Sequence, residues 1–255
     1  MRAVLQTQLQ RIGYGSTEKS LERAALDNQF SELGLNFPQA KIRTANLLRS
    51  NKLRRSDDSL HYELFAAIGL VHSPKRVLEI GTFRGEFTAF LASLFPDAYI
   101  ETWDLPDGSE SGLDGYIANF QNHYRDQKNA RIDNLGELDK VHQVLKDSTE
   151  LVKESASFDL VWIDGDHTFP VVAFDILNAL RLSSSSTWIV IDDIRLTDST
   201  AGKLGSTEGF NVVSHLASNG LATLDLVYKR VGSSGRHWRD DTRRKHLAVL
   251  RRKTW

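Results

Sequence analysis

The chain has 255 residues, 40% hydrophobic and 25% charged with a net charge of −1, a composition that belongs to a folded globular protein rather than a disordered one. It has no cysteine, so disulfides, thiolate nucleophiles and cysteine-bound zinc are excluded, and any metal must sit on oxygen or imidazole. No apolar run reaches the roughly 18 residues that span a bilayer, and Met1–Gly15 lacks the basic start and apolar stretch of a secretion signal, which predicts a cytoplasmic protein.

Three helices are predicted before residue 74. The first runs from Leu21 to Leu33 and is stopped by Gly34, the second is opened by Asn36 and Pro38, and the third runs from Leu60 to Val71 and is stopped by Pro74. Residues 1–70 therefore read as a helical lid or a dimerisation segment, which makes a homodimer one of the expected assemblies. From Arg76 onward short β-rich runs recur at Arg76–Ile80, Tyr99–Trp103, His142–Leu145, Asp159–Ile163, Trp188–Ile191 and Thr223–Lys229, with mostly helical stretches between them. Strands alternating with helices imply parallel βαβ units, and a run such as Leu160-Val161-Trp162-Ile163 is apolar on both faces, as a sheet covered on both sides requires. The predicted fold class is α/β, a doubly wound and mostly parallel sheet over residues 71–232 with helices before it and a basic tail, 233–255, after it. Ligands of such sheets bind beyond the carboxyl ends of the strands, so the functional residues should follow the strands directly.

They do. Val77-Leu78-Glu79-Ile80-Gly81-Thr82-Phe83-Arg84-Gly85 is a buried strand running into a glycine-containing turn that lets backbone approach a ligand closely. Its G-x-x-x-G spacing differs from the G-x-G-x-x-G of dinucleotide folds, which disfavours a pyrophosphate ligand. Asp104 follows the second strand, where a carboxylate can accept from a ribose diol. Asp147-Ser148 follows the third, placed either to meet an adenine or to cap the next helix. Further on, Asp164-Gly165-Asp166-His167 ends the fourth strand and Asp192-Asp193 the fifth. Neighbouring parallel strand ends lie side by side, so these acids should crowd one rim and repel unless something compensates. A hard divalent cation such as Mg²⁺ is the economical solution, and it would also hold a substrate hydroxyl.

The charge is distributed unevenly. Lys41–Arg55 carries six Lys or Arg and no acid, and Lys229–Trp255 carries ten against two acids, whereas Ser56–Tyr228 carries 12 against 27. The two basic segments read either as solvated faces or as a surface for an anionic partner.

Glu79-x-Gly81-x-x-x-Gly85, Asp104 and Asp147-Ser148 together resemble the cofactor motifs of class I S-adenosylmethionine-dependent methyltransferases. The acidic rim resembles the metal-dependent O-methyltransferases of the catechol and caffeoyl-CoA type and the related antibiotic-tailoring sugar O-methyltransferases. The resemblance implies a Rossmann-like methyltransferase fold over roughly Ser59–Lys229, with Glu79, Gly81, Phe83, Gly85, Asp104, Asp147 and Ser148 at the S-adenosylmethionine and Asp164, Asp192 and Asp193 as metal ligands. His167 stands where the catechol and caffeoyl-CoA enzymes carry a catalytic lysine, and a neutral imidazole can take a hydroxyl proton directly, which makes His167 and Asp164 the expected catalytic pair. Two features depart from the family: Ser183–Ser186 replaces a glycine pair before the fifth strand, and the last antiparallel strand is hard to find beyond Gly232-Ser233-Ser234-Gly235. The N-P-P-Y type motif of amino-group methyltransferases is absent from the fourth strand end, so oxygen is the expected methyl acceptor. The leading expectation is methylation of a small-molecule hydroxyl. The alternatives are an RNA methyltransferase using Lys41–Arg55 and Arg236–Lys253 to hold phosphate, and a non-catalytic cofactor-binding protein.

Overall fold

The computed structural model describes residues 20–55, 57–106, 121–136, 138–197, 207–231 and 244–253. Helix α1 covers 20–32 of these. It ends at Gly34, whose φ of +72° lets the chain reverse so that the Leu35 amide donates to the Phe30 carbonyl. Helix α2 (Phe37–Ser50) starts as the sequence predicts: Asn36 Oδ1 accepts from the Gln39 amide at 2.9 Å, with proline in the first turn. Helix α3 (His61–Val71) follows. Strands and helices then alternate as β1 (Arg76–Ile80), α4 (Glu86–Leu94), β2 (Tyr99–Asp104), α5 (Gln121–Leu135), β3 (Val141–Leu145), a 3-10 helix (Ser148–Lys153), β4 (Phe158–Ile163), α6 (Val171–Arg181), β5 (Ser183–Arg195), α7 (Glu208–Ser218), β6 (Ala222–Tyr228) and β7 (Lys245–Arg252).

The seven strands lie in the order β3-β2-β1-β4-β5-β7-β6, with every pairing parallel except those of β7, which is antiparallel to both β5 and β6. The alternation of β4 explains its all-apolar sequence. Leu160 and Trp162 point into a layer built by the N-terminal helices and α4, while Val161 and Ile163 point into the layer of α6 and α7. Helices α1 to α3 are thus one covering face of the sheet. Phe30, Tyr62, Leu64 and Phe65 are fully buried in the same cluster as Val77, Trp162 and Val249, and the rings of Tyr62, Phe65 and Phe87 meet edge to face at 5.1 Å. The segment read as a lid therefore supplies core.

The larger correction concerns the segment read as a basic tail. Its residues Lys245–Arg252 form β7, an interior strand that pairs Val249 with both Val190 of β5 and Asp225 of β6. Leu247, Ala248, Val249 and Leu250 are buried, and the flanking cations have partners inside the protein: Arg244 pairs with Glu22, Lys245 with Asp193, and Arg251 lies over the Trp188 ring at 4.3 Å. The other basic segment is also partly engaged, since Arg55 makes a bidentate pair with Glu63. No described helix is long and apolar enough to cross a membrane.

Register places the functional residues. Ile80 pairs with Trp103 on one side and with Ile163 on the other, and Ile163 pairs with Ile191. The next residue on each strand, namely Gly81, Asp104, Asp164 and Asp192, therefore emerges on one rim.

If β7 is core, Leu247→Ala should cost about 2–5 kcal/mol of folding stability, as for a fully buried leucine, whereas a residue on a solvated tail would cost almost nothing. Urea denaturation of the two proteins measures the difference.

Candidate active site

The turn after β1 is shaped by three residues with positive φ: Gly81 at +98°, Phe83 at +49° and Gly85 at +77°. At Gly81 the constraint is spatial as well, because a Cβ there would stand 2.3 Å from the backbone carbonyl oxygen of Asp164. The turn is thereby pressed against the end of β4. Phe83 lies in the left-handed region without being glycine, and its amide donates to Asp104 Oδ2 at 2.7 Å while its ring stays 56% exposed.

Asp104 is held from several directions. Its Oδ1 accepts from the Leu105 amide at 2.8 Å, and Arg131 of α5, almost fully buried, reaches Oδ2 at 3.4 Å. A carboxylate fixed in this way keeps lone pairs available for a further donor such as a sugar hydroxyl. Asp147 caps the 3-10 helix, its Oδ1 accepting from the Thr149 amide at 2.8 Å and from the Thr149 hydroxyl at 2.6 Å. The capping role thus holds for Asp147, which also lines a cavity together with Ser148. That cavity, of about 360 Å³, is bounded by Ile80, Gly81, Phe83, Trp103, Asp104 and Leu105 on one side and by Lys146, Asp147, Ser148, Asp164, Gly165, Asp166 and Val171 on the other.

Two residues expected at the cofactor are not among its lining. Gly85 begins α4 and packs against Leu135, where a Cβ would come within 2.9 Å of the leucine side chain. Glu79 is buried below the turn, and its Oε2 accepts from the hydroxyls of Thr88 at 2.5 Å and Thr102 at 2.6 Å. Burial pushes its carboxyl up to about 8, against the opposing effect of the two hydroxyls. Both residues shape the turn from beneath.

The acids of the rim divide three ways. Asp166 turns to its own backbone, accepting from the Thr168 amide at 2.8 Å and the Thr168 hydroxyl at 2.7 Å. Asp164, His167 and Asp192 converge, one ligand atom from each lying within 4.8 Å of the others. His167 Nε2 stands 3.4 Å from Asp164 Oδ1. Burial lowers the affinity of this imidazole for a proton, but its hydrogen bond to Asp164 and the charges of Asp164, Asp192 and Asp193 outweigh burial, so its pKa is raised.

Asp193 departs from the expected metal set. It lies at a bulge, where the β5–β7 register shifts between Ile191 and Ile194 and φ reaches +55°, and its two oxygens accept from Lys229 Nζ at 2.5 Å and from Lys245 Nζ. Lys229 also donates to Asp192 Oδ2. The ligand set Asp164, Asp192 and Asp193 does not fit a divalent cation here, because three of the four oxygens of Asp192 and Asp193 are already held by ammonium groups. The sequence reading missed Lys229 and Lys245, as well as Arg131 behind Asp104 and Asp175, which is fully buried against Gly165 and pushed up to about 7 by burial. Lys229 had a signal, since it is the last residue of a predicted strand; Lys245 had none without β7.

Residues 78–194, which include the whole of this rim, match the family model described as a methyltransferase domain. Among solved structures, this fold is similar to that of the O-methyltransferase TomG from Streptomyces achromogenes, involved in tomaymycin synthesis and determined with S-adenosylmethionine, at TM-score 0.54 and 20% identity over 90% of this chain and 96% of that one. It is likewise similar to an O-methyltransferase from Bacillus cereus in complex with S-adenosylhomocysteine, at TM-score 0.54 and 18% identity over 90% and 97% of the two chains. No curated protein matches the chain as a sequence.

The buried Glu79 makes the stability of the chain depend on pH. A folded-state value of about 8 against an ordinary 4.5 means that the folded chain holds a proton the unfolded chain releases. The stabilisation is complete below about pH 4.5 and is lost as pH rises through about 8, at up to about 1 kcal/mol per pH unit. Glu79→Gln, which keeps an acceptor for Thr88 and Thr102, should flatten that slope, as urea melts between about pH 5 and 8.5 will register.

Proposed function

We propose that this domain transfers the methyl group of S-adenosylmethionine to the hydroxyl oxygen of a small molecule. One observation carries the reading: a single cavity is bounded by the glycine turn, by the fixed carboxylate of Asp104, by Asp147-Ser148 and by Asp164, with His167 beside it. Gly81 and Phe83 would border the methionine part of the cofactor, Asp104 would accept from its ribose, and Asp147-Ser148 would border its adenine. When bound, S-adenosylmethionine supplies an electrophilic methyl on a sulfonium sulfur. His167 would take the proton of the acceptor hydroxyl as the oxygen forms its new bond to carbon, and Asp164 would orient the imidazole and stabilise it once charged. The names of the matched solved structures, both O-methyltransferases, support oxygen as acceptor. An RNA acceptor is less well supported, since many cations of the two basic segments contact groups within the chain.

The close set Asp164, His167 and Asp192 leaves one specific opening for a cation, because Oδ1 of Asp192 is buried with no hydrogen-bond donor among the described residues. Methyl transfer that stops in excess chelator and returns with Mg²⁺ or Mn²⁺ would place a cation there.

Calorimetry with S-adenosylhomocysteine should show binding, and Asp104→Ala should weaken it by about 1.5–3 kcal/mol through loss of a charge-assisted hydrogen bond. An unchanged affinity removes the ribose assignment. For His167 the proton-accepting form is the neutral one, so activity should be lost as pH falls. The raised pKa puts the rising limb above the ordinary histidine value of 6.5. His167→Ala should lower turnover on a hydroxyl acceptor by about 10²–10⁴-fold with little effect on cofactor affinity.

A further inference from the structure

Where β4 and β5 end, the rim gathers the carboxylates of Asp164, Asp192 and Asp193, and the chain brings two ammonium groups to the last two. Lys229 and Lys245 face each other across β6 and β7, the Lys229 amide donating to the Lys245 carbonyl at 3.0 Å. Like charges directly opposite on paired strands repel, so the arrangement needs a reason. Asp193 supplies it by accepting from both lysines. To reach them Asp193 takes a φ of +55° at a bulge, a conformation that costs free energy in a residue other than glycine. The backbone carbonyl of Lys229 is tied as well, accepting from the Leu60 amide at 2.7 Å, and the residue is 5% exposed. The ammonium is thus held at both ends of its residue and cannot swing into solvent without breaking these contacts.

We propose that Lys229 is the resident cation of this rim, occupying the place between Asp192 and Asp193 that the sequence pattern assigns to a divalent metal. Lys245 backs it by neutralising the outer oxygen of Asp193. The inference rests on the methyl-transfer reading of the site, and it gives that site a positive charge that neither exchanges nor leaves when metal is scarce. It also answers the repulsion among the acids, for which the sequence alone offers only an added ion. The charge states agree with this arrangement: burial alone would lower the Lys229 pKa, but Asp192, Asp193 and Asp164 raise it well above the ordinary lysine value, while the lysines hold Asp193 well below the usual carboxylate range against the effect of burial.

The test uses Mn²⁺ as probe, followed by electron paramagnetic resonance on the full chain, with S-adenosylhomocysteine calorimetry run in parallel. Removing the ammonium uncovers carboxylate oxygens and one unit of repulsion towards a dication, so Lys229→Met should bind Mn²⁺ at least about tenfold more tightly than the wild type. Lys229→Arg, which keeps the charge, should behave as the wild type. Wild-type binding as tight as that of Lys229→Met, or Lys229→Arg binding as tight as Lys229→Met, overturns the proposal. If Lys229→Met does not fold, Lys245→Met frees one oxygen of Asp193 and should tighten Mn²⁺ binding in the same direction; no tightening there overturns the proposal equally. Cofactor binding separates the two readings. Absence of S-adenosylhomocysteine binding in the wild type refutes methyl transfer whatever Mn²⁺ does, while normal binding in all variants confines any failure to Lys229.

Discussion

The site depends on one close approach, that of Gly81 to the backbone of Asp164. The Gly81 amide donates to the Trp103 carbonyl and the Asp164 amide to the Ile80 carbonyl, each at 2.8 Å, so the ends of β2, β1 and β4 are laced together at the point where the chain turns away. A side chain at Gly81 would have to occupy space held by the Asp164 carbonyl. The half of the cavity that holds Asp104 and the half that holds Asp164 are therefore two sides of a single backbone seam, and their separation is fixed by hydrogen bonds rather than by side-chain packing. Catalytic groups placed on strand ends in this way inherit the rigidity of the sheet.

Around that seam the protein handles buried charge in two different ways. Beneath the turn, Glu79 has no cation beside it among the described residues and is kept neutral near physiological pH, accepting from two threonine hydroxyls. On the other side of β4, Asp193 stays ionised because two lysines surround it. A carboxyl without a counter-ion gives up its charge, and one with two counter-ions keeps it. Asp192 lies between these cases: burial and the adjacent Asp164 push it up, while Lys229 opposes them.

Much of this was legible in the sequence, and the rest was hidden for identifiable reasons. The strands from Arg76 to Tyr228 announce themselves as apolar runs, and the rule that ligands lie beyond strand ends points to Gly81, Asp104 and Asp164, which parallel register aligns on one rim and which line one cavity. β7 was obscured by its ends. Arg243-Arg244-Lys245 at its start and Arg251-Arg252-Lys253 at its end look like a solvated tail, and only the folded chain reveals Glu22, Asp193, Trp188 and the Ser183 carbonyl as partners for four of those cations. The two lysines that meet Asp193 could not be foreseen, because a bulge shifts side-chain direction without leaving a trace in composition. Glu79 and Gly85 belong to the motif without lining the cavity; they fix the geometry of the turn that does. Asp147 and Asp166 behave as capping residues, a role that short acidic side chains after a strand take up locally whatever lies beyond them.

The placement of β7 bears on how the sheet is completed. β7 is made after β6 yet lies between β6 and β5, so neither neighbour can reach its final pairing until the later strand arrives. Until then β5 presents an open edge in which Trp188–Ile191 is apolar, the kind of unpaired strand that seeks a partner from another chain. Ser184, Ser185 and Ser186, exposed at the start of that strand, interrupt the edge with small polar residues. The serine run thus borders, with small polar side chains, the edge that stays open until the last strand is made.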